Sequence, residues 1–452
     1  MQKNRDSSSY RDPSGYIFYE NGKIYRAINH SYQKNYELFH ESGLYDKLVE
    51  KKMIISYKEV NKIPEVYKVI QPDLIEFISY PYEWSFNQLK DVALRLLEIQ
   101  KIALDFDMTL KDATPYNFQF VSNNPVLIDT LSFESYIEGQ IWTPYKQFCE
   151  MLLSPLLLAK NIDSRLLRIT SVFKDGTPLE ITSKLLPIKT KLTPSIALNI
   201  HAHAKSQKKY EGKKIESGKK LPRNSFLGII TSLESLIKNL TIENKKTEWS
   251  DYYEETNYSD SSFNQKQIIV KKFLDVIKPK IVLDLGSNTG VFSKIAYEFT
   301  NNVIACDTDH ESINRFFTTC KKENNSILPL ILDITNPSSS IGWMNKERNS
   351  FFDRIKPDTV LALALIHHLA IANNIPLDMI SKFFSDITDN LIIEFIPKSD
   401  SQIQRMLSSR EDIFNDYDMK NFEETMSQYF DKISMSELEN SDRILYYFRK
   451  KP

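Results

Sequence analysis

IVLDLGSNTGVF, residues 281–292, decides the fold. Ile281, Val282, Leu283 and Leu285 around Asp284 read as a short buried strand. A polar turn bracketed by two glycines follows, and an amphipathic run through Ala296 and Phe299 reads as a helix start. That order places Gly286 and Gly290 where a ligand would approach the backbone. Downstream, strand patterns at Val303–Asp307, Leu328–Leu332, Thr359–Ala364 and Leu391–Ile396 are separated by helical ones. The alternation predicts an α/β domain whose parallel sheet is covered on both faces. Ile433–Ser436 and Arg443–Phe448 read as a closing hairpin.

Strand ends converge at the crevice above such a sheet, so the residues there are the candidate site. Asp307 ends the second strand, where a carboxylate can accept both hydroxyls of a ribose. Asp333 and Ile334 follow the third strand, and His367 and His368 leave the fourth. Glu394 in the fifth strand and Asp400 beyond it are further candidates. In WMNKERNS, before the fourth strand, Arg348 suits either an acidic substrate or a surface ion pair.

Asp284-Leu285-Gly286-Ser287-Asn288-Thr289-Gly290 resembles the first motif of class I S-adenosylmethionine-dependent methyltransferases, with Asn288 where a glycine is commoner. The resemblance implies a Rossmann-like seven-stranded methyltransferase sheet over residues 263–452. It implies S-adenosylmethionine as cofactor, held by Asp284, Gly286, Ser287, Asn288, Gly290, Asp307, Thr308, Asp333 and Ile334, with Asp333 at the adenine amino group and Ile334 against its ring. A nicotinamide-dependent enzyme is the nearest rival, since an acid after the second strand serves either ribose. GSNTG lacks the three-glycine pyrophosphate fingerprint. His367, His368 and Glu394 are the candidate catalytic residues. A histidine there either takes a proton from the accepting atom, or caps the loop or binds cofactor while orientation alone drives transfer.

The first two hundred residues read as α+β. GYIFYENGKIYRAIN alternates around Asn21-Gly22, a hairpin signal. A helix over Tyr36–Glu50, strands at Met53–Ser56, Val66–Ile70 and Leu74–Tyr80, and a helix over Phe86–Phe106 follow, with a core helix expected in Trp142–Lys160. Asp112, Asn117 and Asp129 resemble the catalytic loop and metal-binding aspartate of protein-kinase-like folds, particularly the aminoglycoside-phosphotransferase branch. That implies a kinase-like domain over residues 1–200, with magnesium-ATP at those three side chains. The chain departs from the pattern at Leu110-Lys111 and at Thr130, and no glycine-rich loop precedes Arg26, the basic residue standing for the phosphate-pairing lysine. The three residues therefore either serve phosphotransfer or cap turns in a kinase-derived domain.

A chain of 452 residues implies two or three domains, and 58 basic against 59 acidic side chains leave no global field for nucleic acid or membrane. Cys149, Cys306 and Cys320 lack metal-ligand spacing. Residues 201–262 read as a basic linker and helical connector, with Lys205, Lys208, Lys209, Lys213, Lys214, Lys219, Lys220 and Arg223, then a helix over Ser225–Leu240. His201 and His203 are expected on one side of an extended segment, without further ligands for a metal. Trp249, Tyr252, Tyr253 and Tyr258 suit either a bound adenosine or a sheet edge. No signal peptide or membrane span is read, so a cytoplasmic protein is expected. SYPYEW, LKDATPYNFQF, IDTLSFE, LALALIHHLAI and IIEFIPKSDSQIQ resemble the proteins labelled nodulation-associated, NoeA-type methyltransferases, over residues 11–449. This implies a joined kinase-like and methyltransferase architecture without naming a substrate; the N-terminal domain is expected to bind or select the acceptor, a glycan, glycolipid precursor or small metabolite. A bifunctional kinase–methyltransferase and a non-catalytic module binding the methyl donor are the alternatives.

Overall fold

The computed structural model describes residues 4–60, 64–210, 221–242, 260–408 and 411–452. The chain is mixed α/β and divides into two compact units, Met1–Glu243 with Ser340–Asn349, and Asn244–Ser339 with Ser350–Pro452.

In the first unit, β1 (Asn4–Arg5), β2 (Gly15–Glu20), β3 (Lys23–Ile28), β4 (Tyr57–Val60) and β5 (Lys68–Pro72) form an antiparallel sheet in the order β1-β2-β3-β5-β4. Asn21 (φ 51°) and Gly22 (φ 72°) turn β2 into β3 with the two positive φ angles a tight hairpin demands. Between β3 and β4 the expected single helix is two, Gln33–Glu41 and Leu44–Glu50, broken at Gly43 (φ 82°). Leu74–Tyr80 is not a strand. Leu74 is exposed and Phe77 buried, while the Gln119 amide accepts from Ser79 N and donates to Ser79 O (2.9 Å each), standing in for a ladder partner. Helix Phe86–Asp105 opens on a Ser85–Gln88 capping box and buries Leu89, Val92, Leu96 and Ile99. Beyond it, β6 (Met108–Leu110) pairs with β9 (Phe133–Ser135), and β7 (Phe118–Val121) with β8 (Asn124–Leu127). The expected core helix widens to a π-turn over Cys149–Leu153, where Pro155 brings no N–H and crowds the preceding carbonyl.

His201 and His203 are on helical backbone, not an extended segment: a π-turn over Ala197–Ala202 runs into helix His203–Tyr210. His201 Nδ1 lies 2.8 Å from Ser183 Oγ and Nε2 2.9 Å from Thr190 Oγ1, so both ring nitrogens are engaged. Helix Arg223–Lys238 packs in this unit too. Lys213, Lys214, Lys219, Lys220, Trp249, Tyr252, Tyr253 and Tyr258 lie outside the described residues. Ser340–Asn349 is a finger closed by paired N–H···O bonds between Ile341 and Arg348 (3.0 and 3.1 Å). In it Glu347 is buried and pairs with Arg11 (3.0 Å), while the Arg348 guanidinium lies 4.5 Å over the Tyr116 ring.

In the second unit, helix Asp260–Ile277 leads into a seven-stranded sheet: β10 (Val282–Leu285), β11 (Val303–Asp307), β12 (Leu328–Ile331), β13 (Thr359–Ala362), β14 (Asn390–Phe395), β15 (Phe430–Glu437) and β16 (Ile444–Lys450). Its order is β12-β11-β10-β13-β14-β16-β15; the first five are parallel and β16 runs antiparallel to both neighbours. Val270, Leu274, Phe292 and Ala296 from the flanking helices pack with Val282, Ala305, Leu361 and Ile392 of the sheet. Because β11 and β13 flank β10 on opposite sides, the connections diverge there and leave a crevice at the strand ends. Among the described residues no helix is long and apolar enough to cross a membrane.

Candidate active site

The crevice is a cavity of about 250 Å³, lined by the ends of β10, β11, β12 and β13 and by helix Asp260–Ile277. VLDL is buried at every position because its strand has neighbours on both sides and helices on both faces. The chain then turns sharply. Gly286 (φ 77°), Asn288 (φ 50°) and Gly290 (φ 82°) are all left-handed, and asparagine is the side chain that best tolerates that region where glycine is absent. Gly286 and Ser287 donate their N–H groups to Cys306 O (2.8 and 3.0 Å), which ties the turn to β11. Gly286 lines the cavity, but Gly290 does not. A Cβ on Gly290 would sit 1.9 Å from the Phe316 ring, so its small size serves helix packing.

Asp307 is the hub. Its Oδ2 accepts the Asn288 N–H and its Oδ1 the Asp309 N–H, both at 2.8 Å. A carboxylate has about four lone-pair positions, so each oxygen keeps capacity for a diol. Burial raises the pKa to about 6 despite those bonds. Asp284, also on the wall, accepts the Ser293 hydroxyl at 2.5 Å, and burial lifts it to about 7. Ser287 belongs to the wall, and its Oγ is buried without a hydrogen-bond partner among the described residues. Thr308, Asp333 and Ile334 complete that side. Asp333 Oδ1 caps its own turn by accepting Thr335 N and Oγ1 (2.9 and 2.6 Å).

Of the three expected catalytic residues, His368 alone lines the cavity. Burial lowers it to about 4, so it is neutral at physiological pH. His367 is turned away and buried, its ring 4.1 Å from that of His368, and burial holds it well below the usual histidine range. The two rings touch, yet adjacent residues on helical backbone point roughly 100° apart, and only His368 reaches the crevice. Glu394 sits behind the wall, fully buried, and accepts Lys266 Nζ (2.7 Å) and the N–H of Ala364 (2.8 Å). It thereby fixes the turn after β13, where Ala364 adopts φ 50°. Asp400 caps helix Ser401–Leu407 and pairs with Arg443 (2.8 Å).

Lys266 was not among the expected residues. It is buried, lines the cavity and lies 4.8 Å from the Phe292 ring centre. The signal in the sequence was its spacing: Phe263, Lys266, Val270 and Phe273 share one helix face, and a lysine within an apolar stripe needs an internal partner.

In the first unit the three kinase-like candidates do meet. Asn117 Nδ2 lies 3.2 Å from Asp112 Oδ2 and 3.4 Å from Asp129 Oδ2, and Ser132 donates to Asp129 at 2.8 Å. Arg26 of β3 takes Asp129 Oδ1 at 2.5 Å, and Lys111 lies 3.6 Å from Asp12. Despite its burial, Arg26 and Ser132 hold Asp129 below the usual carboxylate range, whereas burial and the Asp129 charge push Asp112 up. Among the described residues no group of three or more His, Cys, Asp and Glu is arranged to hold a metal ion.

No family model matches the chain. Among solved structures, the PH0226 protein from Pyrococcus horikoshii OT3 is 18% identical, covers 44% of this chain and 99% of its own, and has a TM-score of 0.32. The N-methyltransferase NodS from Bradyrhizobium japonicum WM9, in complex with S-adenosyl-L-homocysteine, is 11% identical over 46% of this chain and 100% of its own, with a TM-score of 0.33. The relative called nodulation protein NoeA, from Rhizobium meliloti (strain 1021), is 34% identical over 459 residues, 99% of this chain and 96% of that protein. The chain belongs to the family of nodulation protein NoeA.

Proposed function

We propose that the second unit is an S-adenosylmethionine-dependent methyltransferase. One observation carries the reading. The turn after β10 and the carboxylate ending β11 are hydrogen-bonded to each other at the rim of one cavity, at the switch point of the sheet. The buried, unpartnered Ser287 hydroxyl, Lys266 and the apolar walls Leu332, Ile334 and Leu365 fit a nucleoside with a charged tail. In this reading Asp307 holds the ribose hydroxyls, Ile334 lies against the adenine, and Asp284 faces the positively charged end.

Bound S-adenosylmethionine supplies an electrophilic methyl group on sulfur. The chain's own task is then alignment and exclusion of water. His368 offers the acceptor a neutral, hydrogen-bonding wall, and with a pKa of about 4 it is a weak proton store. Glu394, paired with Lys266, holds the turn at Ala364 from behind. The acceptor belongs to the glycan, glycolipid-precursor or small-metabolite class, in keeping with the nodulation role in the relative's name.

For the first unit we infer a kinase-like fold over residues 1–200, with the connector 201–262 and the methyltransferase domain 263–452 following. The sheet order β1-β2-β3-β5-β4, two helices between β3 and β4, and the Asp112–Asn117–Asp129 cluster support it. Arg26 already pairs with the Asp129 carboxylate at 2.5 Å, and acceptor selection is the role this reading gives the unit. Isothermal titration with S-adenosylhomocysteine tests the main claim: the parent binds, and Asp307→Ala, which removes both ribose contacts, weakens binding by about a hundredfold or more. Equal binding by the variant sinks the assignment. Binding without methylated product from host extract makes the chain a sensor.

A further inference from the structure

The balance of charge over the whole chain conceals one lopsided stretch. From Ile181 to Tyr210 there are six lysines, at 184, 189, 191, 205, 208 and 209, and no aspartate or glutamate, in a protein with 58 basic and 59 acidic side chains. The same stretch leaves aliphatic side chains in water. Ile188 is 80% exposed, Leu192 84%, Leu198 65% and Leu185 48%.

Local geometry explains why both kinds point outward. Ile188–Leu192 is a 3-10 turn, in which residues three apart stack, pairing Ile188 with Lys191 and Lys189 with Leu192. Thr190 alone turns inward, where its hydroxyl meets Pro187 O at 2.6 Å and His201 Nε2 at 2.9 Å. Lys189 and Lys191 are exposed and form no ion pair among the described residues, and Lys184 pairs only with the exposed Glu180 (2.7 Å). His201 bonds to Ser183 as well, so it stitches helix Leu179–Leu185 and the 3-10 turn to its own segment. Lys191 and Lys205 both act electrostatically on that ring, which places their charges on the same small knot of helices.

We propose that this knot is a docking surface for an anionic lipid membrane. Exposed aliphatic side chains set beside Lys189 and Lys191 match the two layers of such a surface, the acyl boundary and the phosphate plane. A nucleic acid would use the lysines but find no aromatic stacking partner in Ile188 or Leu192. A second copy of the chain would bring like charge against like charge. The proposal does not depend on the chemistry assigned to the second unit, though it would bring that unit to a lipid-linked acceptor.

The test is co-sedimentation of the full chain with vesicles of phosphatidylcholine alone or mixed with phosphatidylglycerol. Partition into the mixed vesicles only is expected. Ile188→Ser/Leu192→Ser and Lys189→Glu/Lys191→Glu should each reduce it about tenfold or more. All four side chains are exposed, and an unchanged circular dichroism spectrum and melting temperature verify that the variants fold. Absence of partition at low salt overturns the proposal. So does full retention by the serine pair, which would leave plain charge attraction, or a dimer in sedimentation velocity that the serine pair abolishes.

Discussion

Replacing Asp284 with asparagine should make the second unit more stable at alkaline pH and less able to bind its ligand. Burial raises this carboxyl from 3.8 to about 7, with Asp307 nearby adding to the shift and the Ser293 hydroxyl opposing it. A folded-state pKa above the unfolded one means that the folded chain binds the proton more tightly. The stabilising contribution is therefore complete below pH 3.8 and lost as the pH rises through about 7. A displacement of roughly three pH units corresponds to about 4 kcal/mol. Asparagine avoids that penalty but weakens a charge-assisted hydrogen bond from Ser293, costing about 1 kcal/mol. The net gain at about pH 8 is about 3 kcal/mol, or about 6–12 °C in melting temperature for a unit of this size. Differential scanning calorimetry of parent and variant between about pH 4 and 8 reads it directly, and the gap should open with rising pH. A variant that melts at or below the parent at pH ~8, or a gap that ignores pH, refutes the idea that Asp284 is held at a cost. If the proposed function is right, the stabilised variant also binds S-adenosylhomocysteine more weakly.

Gly290→Ala should destabilise by about 3 kcal/mol or more, combining a left-handed β-carbon with overlap on the Phe316 ring. Adding Phe316→Leu should recover part of that loss in urea unfolding. Lys266→Met removes the ammonium group that buried Glu394 accepts at 2.7 Å, and should cost about 3–5 kcal/mol. Lys266→Met/Glu394→Gln should regain at least half of it in the same measurement. Since burial keeps His368 neutral, kcat/KM should show no inflection from this residue between about pH 5.5 and 7.5, and His368→Gln should leave cofactor affinity within a few-fold of the parent.

The parallel strands were legible because each is a short apolar run ended by Gly, Asp or a polar turn, and β11 spans the very residues expected, Val303–Asp307. The hairpin at Asn21-Gly22 was legible for a similar reason, a turn chemistry with few alternatives. Leu74–Tyr80 misled because alternation signals only which side chains are buried, whereas a distant glutamine supplies the backbone bonds. At the site, Asp307 and Asp284 could be placed from strand ends. Which of His367 and His368 would line the crevice could not, because the two are adjacent in sequence and the choice rests on how the turn after β13 packs. Gly290 was read as ligand-facing when its constraint is the ring of Phe316, 26 residues away in sequence. Lys266 escaped because the partner that justifies it, Glu394, lies 128 residues downstream.

The ten-residue finger, Ser340–Asn349, which interrupts the second unit in sequence while belonging to the first, has a consequence for how the gene can be recombined. A single crossover near residue 243 would transplant the finger with the wrong body. Glu347 would then meet the other parent's counterparts of Arg11 and Lys174 in place of its own partners. Chimeras between relatives therefore need matched junctions at 243/244, 339/340 and 349/350, and inheritance of the two units should be linked unless all three are exchanged together.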